Sequence, residues 1–264
     1  MERITGGLSC SQLVARLEYL GVARGGVLLV HTSYRAIRPI EGGPAGLIHA
    51  LREALGADGT LVMPSWPGDD DQPFDRRRSA VDTDLGVVAQ IFWQLPGVLR
   101  ADHFHAFAAV GPNAEFVLQD PLPLPPHIAK SPVGRVHDLD GQVLLLGVNH
   151  DADTTIHLAE TMARVPYGIR RHGTMLRDGR PERIEFREND HCCRRFNLAD
   201  DWLRAEGLQR QGRVGNAAAR LVRAADVTRV VIRELEADPL VFLCPPESGC
   251  EECDLAHASL PGRD

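Results

Sequence analysis

Short apolar runs without alternation, each bounded by glycine-rich turns, set the pattern of the first half of the chain. Val27-Leu-Leu-Val30, Thr60-Leu-Val-Met63 and Gln142-Val-Leu-Leu-Leu-Gly-Val148 are apolar at successive positions. A strand apolar on both sides is covered on both faces, as in a parallel sheet. Between the first two runs, Gly42-Gly-Pro44 opens a helix over residues 45–55, and Gly56-Ala-Asp-Gly59 turns the chain into the next strand. Strand, helix and strand joined by short turns predict a parallel βαβ unit. Residues 9–20 read as an amphipathic helix with Leu13, Leu17 and Leu20 on one face, and residues 85–94 read as a further helix. Residues 98–101 and 106–110 read as strands flanking the turn His103-Phe-His105. Four prolines in residues 121–126 predict an extended, rigid segment, and Ser131-Pro132 reads as a helix start.

The third run leads into Asp151-Ala-Asp-Thr-Thr-Ile-His-Leu-Ala-Glu160. Asp153 is a good N-cap, so residues 154–161 are expected to be helical, with His157 and Glu160 on one face. A titratable imidazole beside a carboxylate, just past a buried strand, lies where α/β proteins build sites. Beyond Pro166 the pattern changes. Residues 173–186 read as a hairpin turning at Asp178-Gly179, residues 190–203 as a helix, and residues 217–236 as mostly helical. The expected fold is α/β: a mixed, largely parallel central sheet flanked by helices, with a C-terminal helical and hairpin extension. One domain is expected over residues 1–264, with a core to about residue 165 and a C-terminal lobe over about residues 166–264.

Charge and composition narrow the function classes. The chain has 264 residues and a formal net charge of −7, and Lys130 is its only lysine. An acidic protein of this kind is not expected to bind nucleic acid through its general field, and it favours a cationic partner. No apolar run is long enough to span a membrane, and Glu2 and Arg3 are unlike the start of a signal peptide, so a cytoplasmic protein is expected. The six cysteines are then not expected to form disulfides. Cys250-Glu-Glu-Cys253, Cys244 and a fourth thiolate from Cys192 or Cys193 match a tetrahedral zinc site that staples the tail. The expected set is Cys193, Cys244, Cys250 and Cys253, although the spacing does not choose between the two neighbours. Free buried thiols and a redox pair are the alternatives.

Acidic residues cluster at Asp69-Asp-Asp71 and at Glu188 and Asp190. If these line one cleft with His157 and Glu160, a polyamine would gain charge-assisted hydrogen bonds there. His31-Thr-Ser33 after a strand, and the helix start at Ser131, fit a phosphate-type site. The chain has no GxGxxG, P-loop or GxSxG motif, and Gln209-Arg-Gln-Gly212-Arg-Val214 fails the acetyl-CoA pattern of the common small acetyltransferases.

Seven stretches, in order along nearly the whole chain, resemble the aminoglycoside 3-N-acetyltransferase family and within it the class IV, apramycin- and gentamicin-modifying type. They are Gly25-Gly-Val-Leu-Leu-Val-His31, Gly59-Thr-Leu-Val-Met-Pro-Ser-Trp66, Pro121-Leu-Pro-Leu-Pro-Pro-His127, Asp138-Leu-Asp-Gly-Gln-Val-Leu-Leu-Leu-Gly-Val148, Thr154-Thr-Ile-His-Leu-Ala-Glu160, Glu188-Asn-Asp-His-Cys-Cys193 and Gly249-Cys-Glu-Glu-Cys-Asp254. Three features depart from the family pattern. His103-Phe104 stands where His-Pro is usual, Ala106 and Phe107 stand where a serine is common, and Cys244 replaces an expected histidine.

The resemblance implies acetyl-CoA as donor, a cationic aminoglycoside as acceptor, a monomer or homodimer, and a fold unlike that of the common small acetyltransferases. It implies His157 as general base, with Glu188, Asp190 and His172 as further catalytic candidates. Asp70, Trp66, Glu160 and His127 would face the acceptor. His31, Thr32, Ser33, His103, Phe104 and Ser131 would lie around the donor, with backbone N–H groups near His103 and Phe104 stabilising an oxyanion. Direct transfer is expected, because no activated nucleophile is visible in the sequence. Acetylation of another primary amine, a metal-dependent hydrolase, and a zinc-stapled binding module are the competing readings.

Overall fold

The computed structural model describes residues 6–119 and 122–262; Glu2, Arg3 and Pro121 lie outside them. Seven strands form one sheet in the order β3-β4-β2-β1-β5-β9-β8, where β1 is Val27–Thr32, β2 Thr60–Pro64, β3 Leu99–Arg100, β4 Phe107–Val110, β5 Gln142–Leu146, β8 Arg210–Val214 and β9 Ala217–Arg223. The sheet is mixed. Its centre, β2-β1-β5, is parallel, and antiparallel strands extend it on both sides. The β1–β2 crossover runs through α3, Gly43–Leu55, as the turn residues anticipate. A separate two-stranded hairpin is built from β6, Ile169–Arg177, and β7, Arg180–Glu188.

Helices cover both faces of the sheet, which accounts for the uninterrupted apolar runs. On one face Leu28, Val30, Leu61, Met63, Leu144 and Leu146 pack with α1 (Cys10–Leu20), α3 and α4 (Gly86–Phe92). On the other face Val27, Leu29, Val62, Val143 and Leu145 pack with α6 (Pro132–Asp138), α7 (Thr154–Ala163), α8 (Leu198–Ala205) and α9 (Ala224–Ala237). Each fully buried leucine or valine contributes about 1.5–3 kcal/mol relative to exposure. The local signals act as their chemistry requires. Ser9 forms a capping box with Gln12 and Gly21 ends α1 at φ +106°. Short helices α2 (Tyr34–Ile37) and α5 (Ala114–Leu118) fill the connections, and α10 (Glu251–Ala258) closes the tail.

Three elements differ from the sequence reading. Residues 217–236 divide into β9 and α9, because pairing with β5 outweighs the helix preference of the alanines at 217–219. Arg210–Val214, unassigned from sequence, adds β8 at the sheet edge. Residues beyond 166 therefore complete the central sheet. The helix expected from residue 190 starts only with a 3-10 turn at Arg194–Asn197, followed by α8. Cys193 has φ +56°, a left-handed conformation that no α-helix contains. The hairpin turns at Asp178-Gly179 as expected. It docks where Gly173 faces Phe104: a Cβ there would meet the ring at 2.5 Å, so only glycine permits this approach.

Candidate active site

Strand β1 has β2 on one side and β5 on the other, both parallel to it, so connections diverge at its carboxyl end. That switch point is where open α/β sheets form crevices. His31 and Thr32 end β1, Trp66 follows β2, and α7 follows β5. Arg100 pins the loop after β2: its Nε donates to the Ser65 carbonyl at 3.1 Å, and its guanidinium stacks on Trp93 at 4.4 Å. Asp153 caps α7 by accepting from the Thr155 N–H at 2.9 Å. Its other oxygen meets His150 Nδ1 at 3.1 Å, while His150 Nε2 meets Gln209 Oε1 at 2.7 Å, all in the buried interior.

One turn into α7, His157 and Glu160 form the centre of the site. Glu160 is fully buried and accepts from three donors: His157 Nδ1 at 2.7 Å, His191 Nε2 at 2.8 Å and the Tyr167 hydroxyl at 2.5 Å. Burial alone would raise its pKa. The hydrogen bonds from His157 and His191 overcome that effect and hold it at about 2. An ionised carboxylate only accepts, so it fixes N–H on His157 Nδ1 and on His191 Nε2. The lone pair of neutral His157 then lies on Nε2, 3.4 Å from Cys193 Sγ. Burial disfavours the imidazolium, but Cys193 and Glu160 outweigh it and raise the His157 pKa well above the ordinary range. His157 stacks on His127, with centroids 5.2 Å apart, and meets the edge of Phe196 at 4.8 Å.

Two cavities meet at His157. The first, about 250 Å³, is largely apolar and includes Val30, His31, Thr32, Met63, Phe196 and Cys193. Burial lowers the His31 pKa to about 4, so this imidazole is neutral near pH 7. The Thr32 hydroxyl is buried there without a protein partner. The second, about 310 Å³, is lined by Asp70, Asp82, Glu188, Phe104, His105 and His127. Trp66, Thr154 and His157 border both. In the acidic cavity, burial and then the charge of Asp190 push Glu188 up to about 7. Burial holds His105 at about 3 and His127 well below its ordinary value, so both are neutral there.

The geometry sorts the sequence-derived residues. His157, Glu188, Asp70, Trp66, His127, His31 and Thr32 border the cavities. Glu160 does not face an acceptor; it lies behind His157. Phe104 belongs to the acidic cavity, not to the apolar one, because Phe186 of the hairpin stacks on it at 5.7 Å. His172 lines neither cavity: it bonds Asp71 Oδ1 at 2.8 Å and Arg183 at 3.1 Å on the hairpin. Asp190 lies outside both and is taken by Arg171, whose Nε donates at 2.6 Å. Ser131 only caps α6, His103 is buried behind the cavities, and Ser33 borders neither cavity. Sequence reasoning missed His105, Asp82, Thr154, His191 and Tyr167. His105 stood in the histidine-rich turn and His191 in a quoted stretch, but only the fold brings them to α7.

The adjacent cysteines part company. Cys192, Cys244, Cys250 and Cys253 place their sulfurs within 4.8 Å of one another, with Cys192 Sγ 3.5 Å from Cys244 Sγ. Cys193, expected in this set, is not in it: its left-handed backbone turns Sγ toward His157. The sequence reading set a catalytic thiol aside and gave Cys193 to the metal set; the fold places its sulfur beside the His157 imidazole.

A family model described as aminoglycoside 3-N-acetyltransferase matches residues 29–236. Aminoglycoside N(3)-acetyltransferase IV from Salmonella sp is 60% identical over 90% of this chain and 92% of its own length. The crystal structure of a histidine-to-alanine variant of the acetyltransferase AAC(3)-IVa in complex with gentamicin superposes with a TM-score of 0.96, at 58% identity over 98% of this chain and 100% of that one. The same variant in complex with apramycin gives 0.89, at 56% identity over 95% and 100%. A binary complex of AAC-IIIb with CoASH gives 0.80, at 26% identity over 88% and 97%. By the family match and these identities, the chain belongs to the aminoglycoside 3-N-acetyltransferase family.

Proposed function

We propose that the protein transfers the acetyl group of acetyl-CoA to the 3-amine of the 2-deoxystreptamine ring of aminoglycosides. The observation that carries this reading is the meeting of an apolar and an acidic cavity at one carboxylate-held imidazole. The pantetheine arm of acetyl-CoA fits the apolar cavity, with Thr32 and Thr154 hydroxyls to face the thioester. Asp70, Asp82 and Glu188 suit the ammonium groups of an aminoglycoside.

With both substrates present, the neutral form of His157, whose share grows as pH rises toward its raised pKa, takes a proton from the acceptor's ammonium at Nε2, and the freed amine attacks the thioester carbon. The tetrahedral intermediate expels CoA thiolate as its nitrogen gives up a second proton to solvent; the thiolate recovers the first proton from His157, so the products are the amide, CoA thiol and one free proton. The Glu160 carboxylate stabilises the imidazolium formed between these steps. With His157 in its neutral form, a Cys193 thiol whose S–H points to the His191 carbonyl, 3.3 Å away, leaves Nε2 free. Purified protein should release CoA thiol from acetyl-CoA with at least one of apramycin, gentamicin, tobramycin and kanamycin. NMR of the product should place the acetyl group on the 3-amine; binding of CoA without turnover of any of the four would redirect the reading to another amine.

Glu188 gives the acidic cavity a pH dependence. A carboxyl held at about 7 is charged above that pH and neutral below it, so attraction for a polycation falls as pH falls through 7. The KM for aminoglycoside should therefore rise on acidification. Glu188→Gln should raise KM at pH 8 by roughly 10–100-fold, for about 1.5–3 kcal/mol lost from a charged hydrogen bond, and flatten the pH dependence between 6 and 8. An unchanged KM profile would remove Glu188 from the acceptor site.

Structural zinc in the tail and a cytoplasmic location complete this reading. Four thiolates within 4.8 Å of one another fit a tetrahedral ion at about 2.3 Å from each sulfur. Cys192, Cys244, Cys250 and Cys253 would hold it, tying α10 to the turn that carries His191. Stoichiometric zinc should co-purify, and Cys253→Ser should lower the melting temperature by on the order of 5 °C, for about 2 kcal/mol. Metal-free protein with unaltered melting would exclude the staple.

A further inference from the structure

Cys193 is the one cysteine that borders the reaction cavities, and neither the tail cluster nor the transfer step uses its sulfur. It is not a lone thiol. Its Sγ lies 3.4 Å from His157 Nε2, and both atoms border the same cavity. A zinc-like ion bound to sulfur at about 2.3 Å and to nitrogen at about 2.0–2.1 Å, with a tetrahedral angle, spans roughly 3.5 Å between those donors. The observed separation matches that bite.

The groups behind the pair are those that metal-binding histidines use. His157 donates its other ring N–H to a buried carboxylate, which fixes Nε2 as the ligand atom. The Cys193 backbone N–H donates to His191 Nδ1 at 3.1 Å, and His191 donates to the same carboxylate at 2.8 Å. Both ligands are thus oriented through Glu160 before any ion arrives. His157, Glu160 and His191 also place donor atoms close together, but hydrogen bonds account for that cluster. Both residues line the apolar cavity, which leaves room for water or a substrate thiolate to complete the shell of an ion held there.

We propose that Cys193 Sγ and His157 Nε2 chelate a soft divalent cation such as zinc or cadmium, and that this binding reversibly switches the enzyme off. The ion takes the lone pair that accepts the amine's proton and occupies the corner where the two cavities meet. A thiolate–imidazole pair selects soft, nitrogen-tolerant cations over magnesium or calcium. The inhibitory effect rests on the assignment of His157 as proton acceptor; the binding does not.

The test is a titration of purified protein, its tail cluster already metal-saturated, with cadmium chloride. Binding is read from thiolate-to-cadmium absorption, and acetyl transfer from product mass, since cadmium also captures free CoA. Wild type should bind one further equivalent and lose activity in parallel, and a chelator that strips that equivalent should restore activity; magnesium should do neither. In Cys193→Ser the further equivalent should vanish, and the half-inhibiting concentration should rise by roughly tenfold or more, relative to that variant's own metal-free rate. Should Cys193→Ser fail to fold, protection of wild-type Cys193 from a maleimide by cadmium reads the same contact. Binding retained in Cys193→Ser, no further equivalent in wild type, or an unprotected Cys193 would overturn the proposal. If no aminoglycoside is acetylated, the absorption and protection arms still decide it.

Discussion

A single buried carboxylate organises this site. Glu160 sits on α7 with no exposure to solvent and accepts from His157, His191 and Tyr167. An unpaired charge at that depth would cost several kcal/mol, so its three donors belong to the stability of the fold as much as to the site. They also come from three places: α7 itself, the segment after it, and the turn before α8. Satisfying one carboxylate therefore fixes the His157 imidazole, the start of the C-terminal segment and the approach of the hairpin's end. Because the carboxylate can only accept, it decides the tautomer of His157 and leaves the Nε2 lone pair on the side away from Glu160, beside Cys193.

The two cavities divide the chemistry by polarity. The apolar one is built by strand ends and α4, elements whose residues are also the sheet's core. The acidic one is built by loops and the hairpin, which bring Asp70, Asp82 and Glu188 from distant parts of the chain. His105 and His127 are kept neutral there by burial, so they add shape and ring faces without opposing a cation. The adjacent Cys192 and Cys193 reflect the same division: a left-handed backbone sends one thiol to the tail cluster and the other to the reaction centre.

Local rules made the first half of the fold readable. Continuous apolar runs, the Ser9 and Asp153 caps and the glycine turns identify β1, α3, β2, β5 and α7, because packing there agrees with local preference. The pair His157 and Glu160 was visible for the same reason, being set by helix spacing alone. The C-terminal part was less readable because tertiary contacts outvote propensity. Alanines at 217–219 become a strand beside β5, and residues 190–193 give up helix to deliver His191 and two thiols to separate partners. Likewise, the charges of Asp190 and the imidazole of His172 looked available, but Arg171, Asp71 and Arg183 occupy them. Which polar groups are already satisfied is a property of the folded chain, and spacing does not encode it.

The central claim is that the Glu160 carboxylate makes His157 the proton acceptor, and Glu160→Gln tests it most directly. The amide keeps the shape but presents an N–H toward His157 Nδ1, which favours the opposite tautomer and puts a hydrogen on Nε2. The expected result is a fall in kcat of about 10²–10⁴-fold, with dissociation constants for acetyl-CoA and aminoglycoside little changed and the protein still folded. A folded Glu160→Gln protein turning over at the wild-type rate would contradict it.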